Sequence, residues 1–223
     1  MMDNFSNFLR QENSVLWNLA NSEHPFVKGL GDGSLSLDKF QYYLKQDYIF
    51  LFDYCKVLAI AASKSDSESM MSKWVTLLDE TLNSEMDLHR NFCKDFGISE
   101  EELENTNAVS STRDYTNFLL KNAENNSIES IAISLLPCQW GYSEIGKELF
   151  KKSSLNPDTF HYKWIESYNS QEYQEVTDWL ITFVNSIGKN IDKDNVEILS
   201  ELFKRGIEFE IDFWESAWLL KKN

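Results

Sequence analysis

The sequence predicts an all-α protein with a single-domain helical-bundle architecture, and three observations carry that reading. Only 8 Gly and 3 Pro punctuate 223 residues, so few positions break a helix. Apolar residues recur at steps of three and four along most of the chain, which is the spacing of one helix face. No strand-like alternation persists for more than a few residues. The length suits one domain over residues 1–223, large enough to bury most of its apolar surface.

A first helix is expected from about Asn4 to Asn21, with Phe5, Phe8, Leu9, Leu16 and Leu19 inward and His24-Pro25-Phe26 ending it. A turn is expected over Gly29 to Gly33, where Asp32-Gly33 supplies the turn residues. Ser36 should cap a long second helix to about Ser63, and a third should run from about Asp66 to Phe96 and stop at Gly97. Ser99-x-x-Glu102 reads as a capping box opening a short helical turn. Glu104 to Ser111 reads as a loop, followed by a helix from about Thr112 and another from about Ser127 that breaks over Ser153 to Pro157. A short aromatic helix holds Phe160, Trp164 and Tyr168, and the last two span about Ser170 to Gly188 and Lys193 to Leu220.

The formal charge of −15 argues against nucleic-acid and anionic-membrane partners, which need basic patches. It tolerates a cationic small molecule. Three cysteines without paired spacing indicate neither a disulfide framework nor a zinc site. Asp3, Arg10 and Glu12 interrupt the N-terminal apolar positions, so no signal peptide is expected, and no run of about 18 apolar residues suggests a membrane span. A reducing cytoplasm is the default compartment.

The chain is organised around Leu135-Leu136-Pro137-Cys138-Gln139-Trp140-Gly141-Tyr142-Ser143-Glu144-Ile145-Gly146. Its apolar residues share a helix face with Cys138 and Tyr142, yet Pro137 lacks an N–H and its ring presses on the carbonyl four residues back. A kink is therefore expected one residue before a buried cysteine. On spacing alone Cys138 fits either a core thiol or a nucleophile, and inert core thiols are the commoner case.

Two carboxylates occupy inward positions. Phe40, Tyr43, Asp47, Phe50, Tyr54 and Val57 recur at helical spacing, as do Phe203, Ile207, Glu210, Trp214 and Ala217. Burial of an unpaired carboxylate is costly, so each acid must pair, bind a ligand or stay protonated. Two acids and a cysteine on inward faces of three helices point to a pocket as well as to core structure. Tyr48, Tyr115, Trp140, Tyr142, Tyr168 and Phe213 would serve either as core or as walls that stack a flat ring. Only 3 His leave few metal ligands; Glu85 and His89 share a face at i, i+4, where a hydrogen bond is the commoner outcome.

Several of these residues, with others in chain order, resemble the TenA family, also called thiaminase II or aminopyrimidine aminohydrolase. The likeness is carried by His24-Pro25-Phe26, Gln46-Asp47-Tyr48, Leu135-Leu136-Pro137-Cys138-x-Trp140-x-Tyr142-x-Glu144-x-Gly146, Trp164-Ile165-x-x-Tyr168 and Glu210-x-x-Phe213-Trp214-Glu215. It implies a heme-oxygenase-like fold, a homotetramer, no cofactor or metal, and hydrolysis of 4-amino-5-aminomethyl-2-methylpyrimidine, with thiamine cleaved secondarily. Cys138 would then be the nucleophile, placing the chain in the family's cysteine-bearing branch, and Glu210 would exchange a proton with a ring nitrogen. Asp47 would bind the aminopyrimidine edge, with Tyr48, Phe50, Tyr115, Tyr142, Tyr168 and Phe213 around the substrate. The family often has tyrosine where this chain has Phe50, which removes a hydroxyl near the thiol. Two other readings remain: a non-catalytic pyrimidine or thiamin binder, and a di-metal oxygenase on the same scaffold. The latter would want several His beside inward carboxylates, and the segment around Asp178 offers none.

Overall fold

In a computed structural model, residues 4–189 and 191–222 are described. They form helices α1 (Phe5–Glu12), α2 (Ser14–Asn18), α3 (Pro25–Asp32), α4 (Leu37–Ser63), α5 (Glu68–Asp79), α6 (Met86–Asp95) and α7 (Glu100–Glu104). Then follow α8 (Ser110–Asn125), α9 (Ile128–Lys152), α10 (Phe160–Tyr168), α11 (Gln171–Gly188) and α12 (Lys193–Leu219). Among the described residues there is no strand, and none of the helices is long and apolar enough to cross a membrane.

Two expectations are corrected. The proposed turn over Gly29 to Gly33 is instead α3, which ends at Gly33 in the left-handed conformation (φ 77°). The start signal lies upstream: Pro25 at the first helical turn has its φ already set, and His24 Nδ1 accepts the Phe26 N–H. The helix expected over residues 4–21 breaks at Asn13 and ends in a π turn, Leu19–Glu23, that leaves Leu19 exposed rather than inward. The helix expected over 66–96 is interrupted by a second π turn, Glu80–Glu85. In the second, the Met86 N–H bonds to Thr81 O, five residues back. The buried residues record the insertion: Trp74, Leu77 and Thr81 step by three and four, then Thr81 to Met86 by five, before His89 and Phe92 resume. The extra residue thus keeps His89 on the inward face.

The chain divides into two compact units, each built from separated stretches. One comprises Met1–Leu35 and Ala132–Glu215; the other comprises Ser36–Ile131 and Ser216–Asn223. In the first, Glu144 Oε1 accepts from Arg10 Nη2 (2.8 Å) and Trp17 Nε1 (3.0 Å), tying α1 and α2 to α9. The Arg10 guanidinium lies over the Trp17 and Trp140 rings, 5.3 and 5.4 Å from their centroids. Glu144 and Trp140, both members of the cysteine motif, are therefore engaged in holding helices together.

In the second unit α5, α6 and α8 pack on α4. The inward stripe Phe40, Tyr43, Asp47, Phe50, Tyr54 and Val57 is buried as its spacing predicts. Lys64 Nζ caps the end of α8, donating to the carbonyls of Ala123 (2.6 Å), Glu124 (3.2 Å) and Asn126 (2.6 Å). Gln46 fixes the start of the same helix. Its Oε1 accepts from the Val109 N–H and Thr112 Oγ1, and its Nε2 donates to Asn107 O.

Candidate active site

In the first unit, α9 runs unbroken through Pro137, and α12 meets it there. A Cβ on Gly206 would stand 2.7 Å from Pro137 Cγ and 3.3 Å from Ser134 O, so only glycine permits this approach. Cys138 follows the proline directly, and Glu210 lies one helical turn beyond Gly206. Both are buried, at 9% and 4% exposure, and the stripe Phe203, Ile207, Trp214 and Ala217 that flanks Glu210 is buried with it. The Gly206→Ala variant is expected to lose stability despite the better helix propensity of alanine. A rigid proline ring and a backbone carbonyl have no slack to absorb a methyl, so a net cost of about 1–2 kcal/mol is expected. A thermal melt should register this as a Tm lowered by roughly 2–8 °C.

The aromatic wall beside Cys138 is assembled from α9, α10 and α12. Tyr142 lies 4.9 Å from Tyr168, 5.8 Å from Trp164 and 5.2 Å from Trp214, centroid to centroid. A Cβ on Gly146 would meet the Tyr168 carbonyl carbon at 2.6 Å, so that glycine lets α10 seat against α9. Phe213 is buried next to Trp214, on which Phe26 stacks at 4.9 Å. A buried polar seam holds α11 to this wall: Gln139 Nε2 donates to Thr177 Oγ1, Ser143 Oγ to Gln174 Oε1, and Gln174 Nε2 to Tyr168 O. His24 is buried with one nitrogen facing a donor. Nδ1 accepts the Phe26 N–H while Nε2 points at Glu215, 3.4 Å away, so the neutral Nε2–H form fits. Burial lowers its pKa against the pull of Glu215.

In the second unit, Asp47 is 2% exposed and Tyr43 and His89 hold one of its oxygens. Tyr43 Oη donates to Oδ2 at 2.7 Å, and His89 Nε2 approaches the same oxygen at 2.7 Å. His89 Nδ1 is 2.9 Å from Glu85 O. His89 thus meets a backbone carbonyl of its i, i−4 neighbour with one ring nitrogen and the Asp47 carboxylate with the other. Phe50 packs on Tyr115 at 4.8 Å and on Tyr54 at 5.8 Å. Tyr48 lies off this stripe, half-buried, with its hydroxyl interacting with Arg90. Sequence reasoning missed Tyr43 as a partner of Asp47 and Gln46 as the anchor of the helix carrying Tyr115.

The other two thiols are poor nucleophiles. Burial, with Glu85 nearby, pushes Cys55 up to about 12, and burial pushes Cys93 up to about 11. None of the three cysteines is in a disulfide.

The sequence matches the model of the TENA/THI-4/PQQC family over residues 11–219. It is 37% identical to an aminopyrimidine aminohydrolase of Halalkalibacterium halodurans, covering 96% of this chain and 95% of that one. Its fold is similar to the crystal structure of a TenA family transcription regulator from Silicibacter sp. TM1040, with a TM-score of 0.87, 29% identity and 96% of each chain covered. A heme oxygenase-like domain from Shewanella denitrificans, 11% identical with a TM-score of 0.74 over 96% of this chain and 92% of its own, shares the fold. The chain belongs to the TENA/THI-4/PQQC family.

Proposed function

We propose that this protein hydrolyses the bond between a pyrimidine's methylene carbon and its amine. It would convert 4-amino-5-aminomethyl-2-methylpyrimidine and water to the hydroxymethyl pyrimidine and ammonia in thiamin salvage, with thiamine as a secondary substrate. The observation that carries the reading is a buried thiol and a buried carboxyl, Cys138 and Glu210, on two helices held in register by the Pro137–Gly206 contact.

In the reaction the Cys138 sulfur forms a bond to a ring carbon, and the displaced electron pair moves to a ring nitrogen that takes a proton from Glu210. The amine then takes up the proton given up by the thiol and leaves the methylene as ammonia, and water adds in its place, its spare proton passing to the sulfur when that departs. Return of the ring proton to Glu210 and departure of the sulfur restore the enzyme. Asp47 accepts from the exocyclic amino group, and Tyr115, Tyr142, Tyr168 and Phe213 line the pyrimidine, with Tyr48 and Phe50 completing the set. No step as written calls on a metal or cofactor. The reading takes residues 1–223 as one catalytic domain acting in the cytoplasm as a homotetramer.

Incubation of the purified protein with each substrate, followed by product mass, tests the activity. The aminomethyl pyrimidine should be consumed faster than thiamine; cleavage of neither would overturn the reading. Light scattering should give a mass near four times 26.1 kDa, and a stable monomer would refute the assembly.

A further inference from the structure

His89 is wholly buried, and both of its ring nitrogens face oxygens: Asp47 Oδ2 at 2.7 Å and the Glu85 carbonyl at 2.9 Å. A carbonyl oxygen only accepts, so Nδ1 must donate. Asp47 Oδ2 already accepts from Tyr43. Nε2 and Oδ2 stand close enough to need a proton between them, and a ring that carries it donates from both nitrogens. Asp47 Oδ1 takes no hydrogen bond from the described residues.

We propose that His89 is a positioning residue that stays imidazolium in the folded protein. It fixes Asp47 with Oδ2 engaged, so that Oδ1 is left to accept and selects ligands presenting an N–H rather than a carbonyl oxygen. The choice of a 4-amino over a 4-oxo pyrimidine rests on the aminohydrolase reading; the charge state of the pair does not. The π turn over Glu80–Glu85 serves this arrangement, since without its extra residue His89 would leave the α4-facing side of its helix.

The electrostatics agree. Burial alone lowers the His89 pKa, but the hydrogen bond and charge of Asp47, with the charge and carbonyl of Glu85, raise it overall. These are the charged groups acting on it: Asp47 from α4, beside the Tyr43 hydroxyl, and Glu85 at the end of the π turn that leads into α6. A histidine whose folded pKa is raised binds its proton more tightly when folded. Its contribution is therefore complete below about 6.5, the free-histidine value, and fades only as pH rises through the higher folded value.

Two measurements test the proposal on the intact protein. The first is 15N-histidine NMR of the wild type, with the three imidazoles assigned from His24→Gln and His161→Gln variants. His89 should show both nitrogens protonated at pH 7.5; one unprotonated nitrogen there would overturn the proposal. The second is calorimetric binding of the 4-amino and 4-oxo forms of 5-hydroxymethyl-2-methylpyrimidine to wild type and His89→Gln. Without the cation, Oδ2 loses its charged donor and Oδ1 is no longer held in one orientation, and preference for the amino ligand should fall about 10–100-fold. A Gln variant that melts lower yet keeps the full preference would make His89 a core residue and sink the idea. A wild type that binds neither pyrimidine would count against the aminohydrolase reading, while the NMR result still decides the charge state.

Discussion

Cys138→Ala is expected to lower turnover of the aminomethyl pyrimidine by about 10⁴-fold or more, the scale on which removal of a covalent nucleophile registers. Cys55→Ala and Cys93→Ala should keep near-native turnover per folded molecule. The contrast follows from where the thiols sit. Cys55 and Cys93 are buried on helices of the second unit, where desolvation holds both in the neutral form. Cys138 lies beside the tyrosine and tryptophan wall, one residue past the point where Gly206 admits Pro137. Measurement of kcat on the three variants separates the sites, and near-native turnover by Cys138→Ala would end the covalent mechanism.

Glu210→Gln is expected to cost about 10²–10⁴-fold in rate, the range for loss of a general acid–base. Glutamine keeps the shape and part of the hydrogen bonding but cannot give up and retake a proton at neutral pH. A structural carboxyl predicts the reverse pattern. Its loss would lower the melting temperature and leave turnover per folded molecule unchanged. Recording both quantities on one preparation decides the matter. A variant that melts markedly lower yet turns over at the wild-type rate makes Glu210 a core acid.

The periodicity that placed Asp47 and Glu210 inward was legible because a helix face is a strictly local pattern. Both stripes are buried in the structure, and the long helices fall close to their expected limits. The π turns depart from that pattern, although their signature is local too. A step of five from Thr81 to Met86 inside a three-and-four pattern marks the insertion at Glu80–Glu85. The start of α3 was misread because His24 normally signals nothing at a helix N-terminus. It caps here through Nδ1, a role usually taken by Ser, Thr, Asp or Asn.

Partnerships across elements were beyond reach. Nothing in the spacing of Asp47 announces that His89, 42 residues away, completes it. The i, i+4 relation of Glu85 and His89 suggested a side-chain pair, and the fold uses the Glu85 carbonyl instead. Glu144, conspicuous in the cysteine motif, turns out to anchor Arg10 and Trp17. Likewise Gly206 gave no hint of its role until the proline it faces was known.

The most direct test of the account is hydrolysis in H2 18O by the purified wild-type protein, with ammonia and pyrimidine product measured together. One ammonia should be released per hydroxymethyl pyrimidine formed, with the label in the product and both signals lost in Cys138→Ala. Folded protein that releases no ammonia above a buffer control, or that yields unlabelled product, would contradict it.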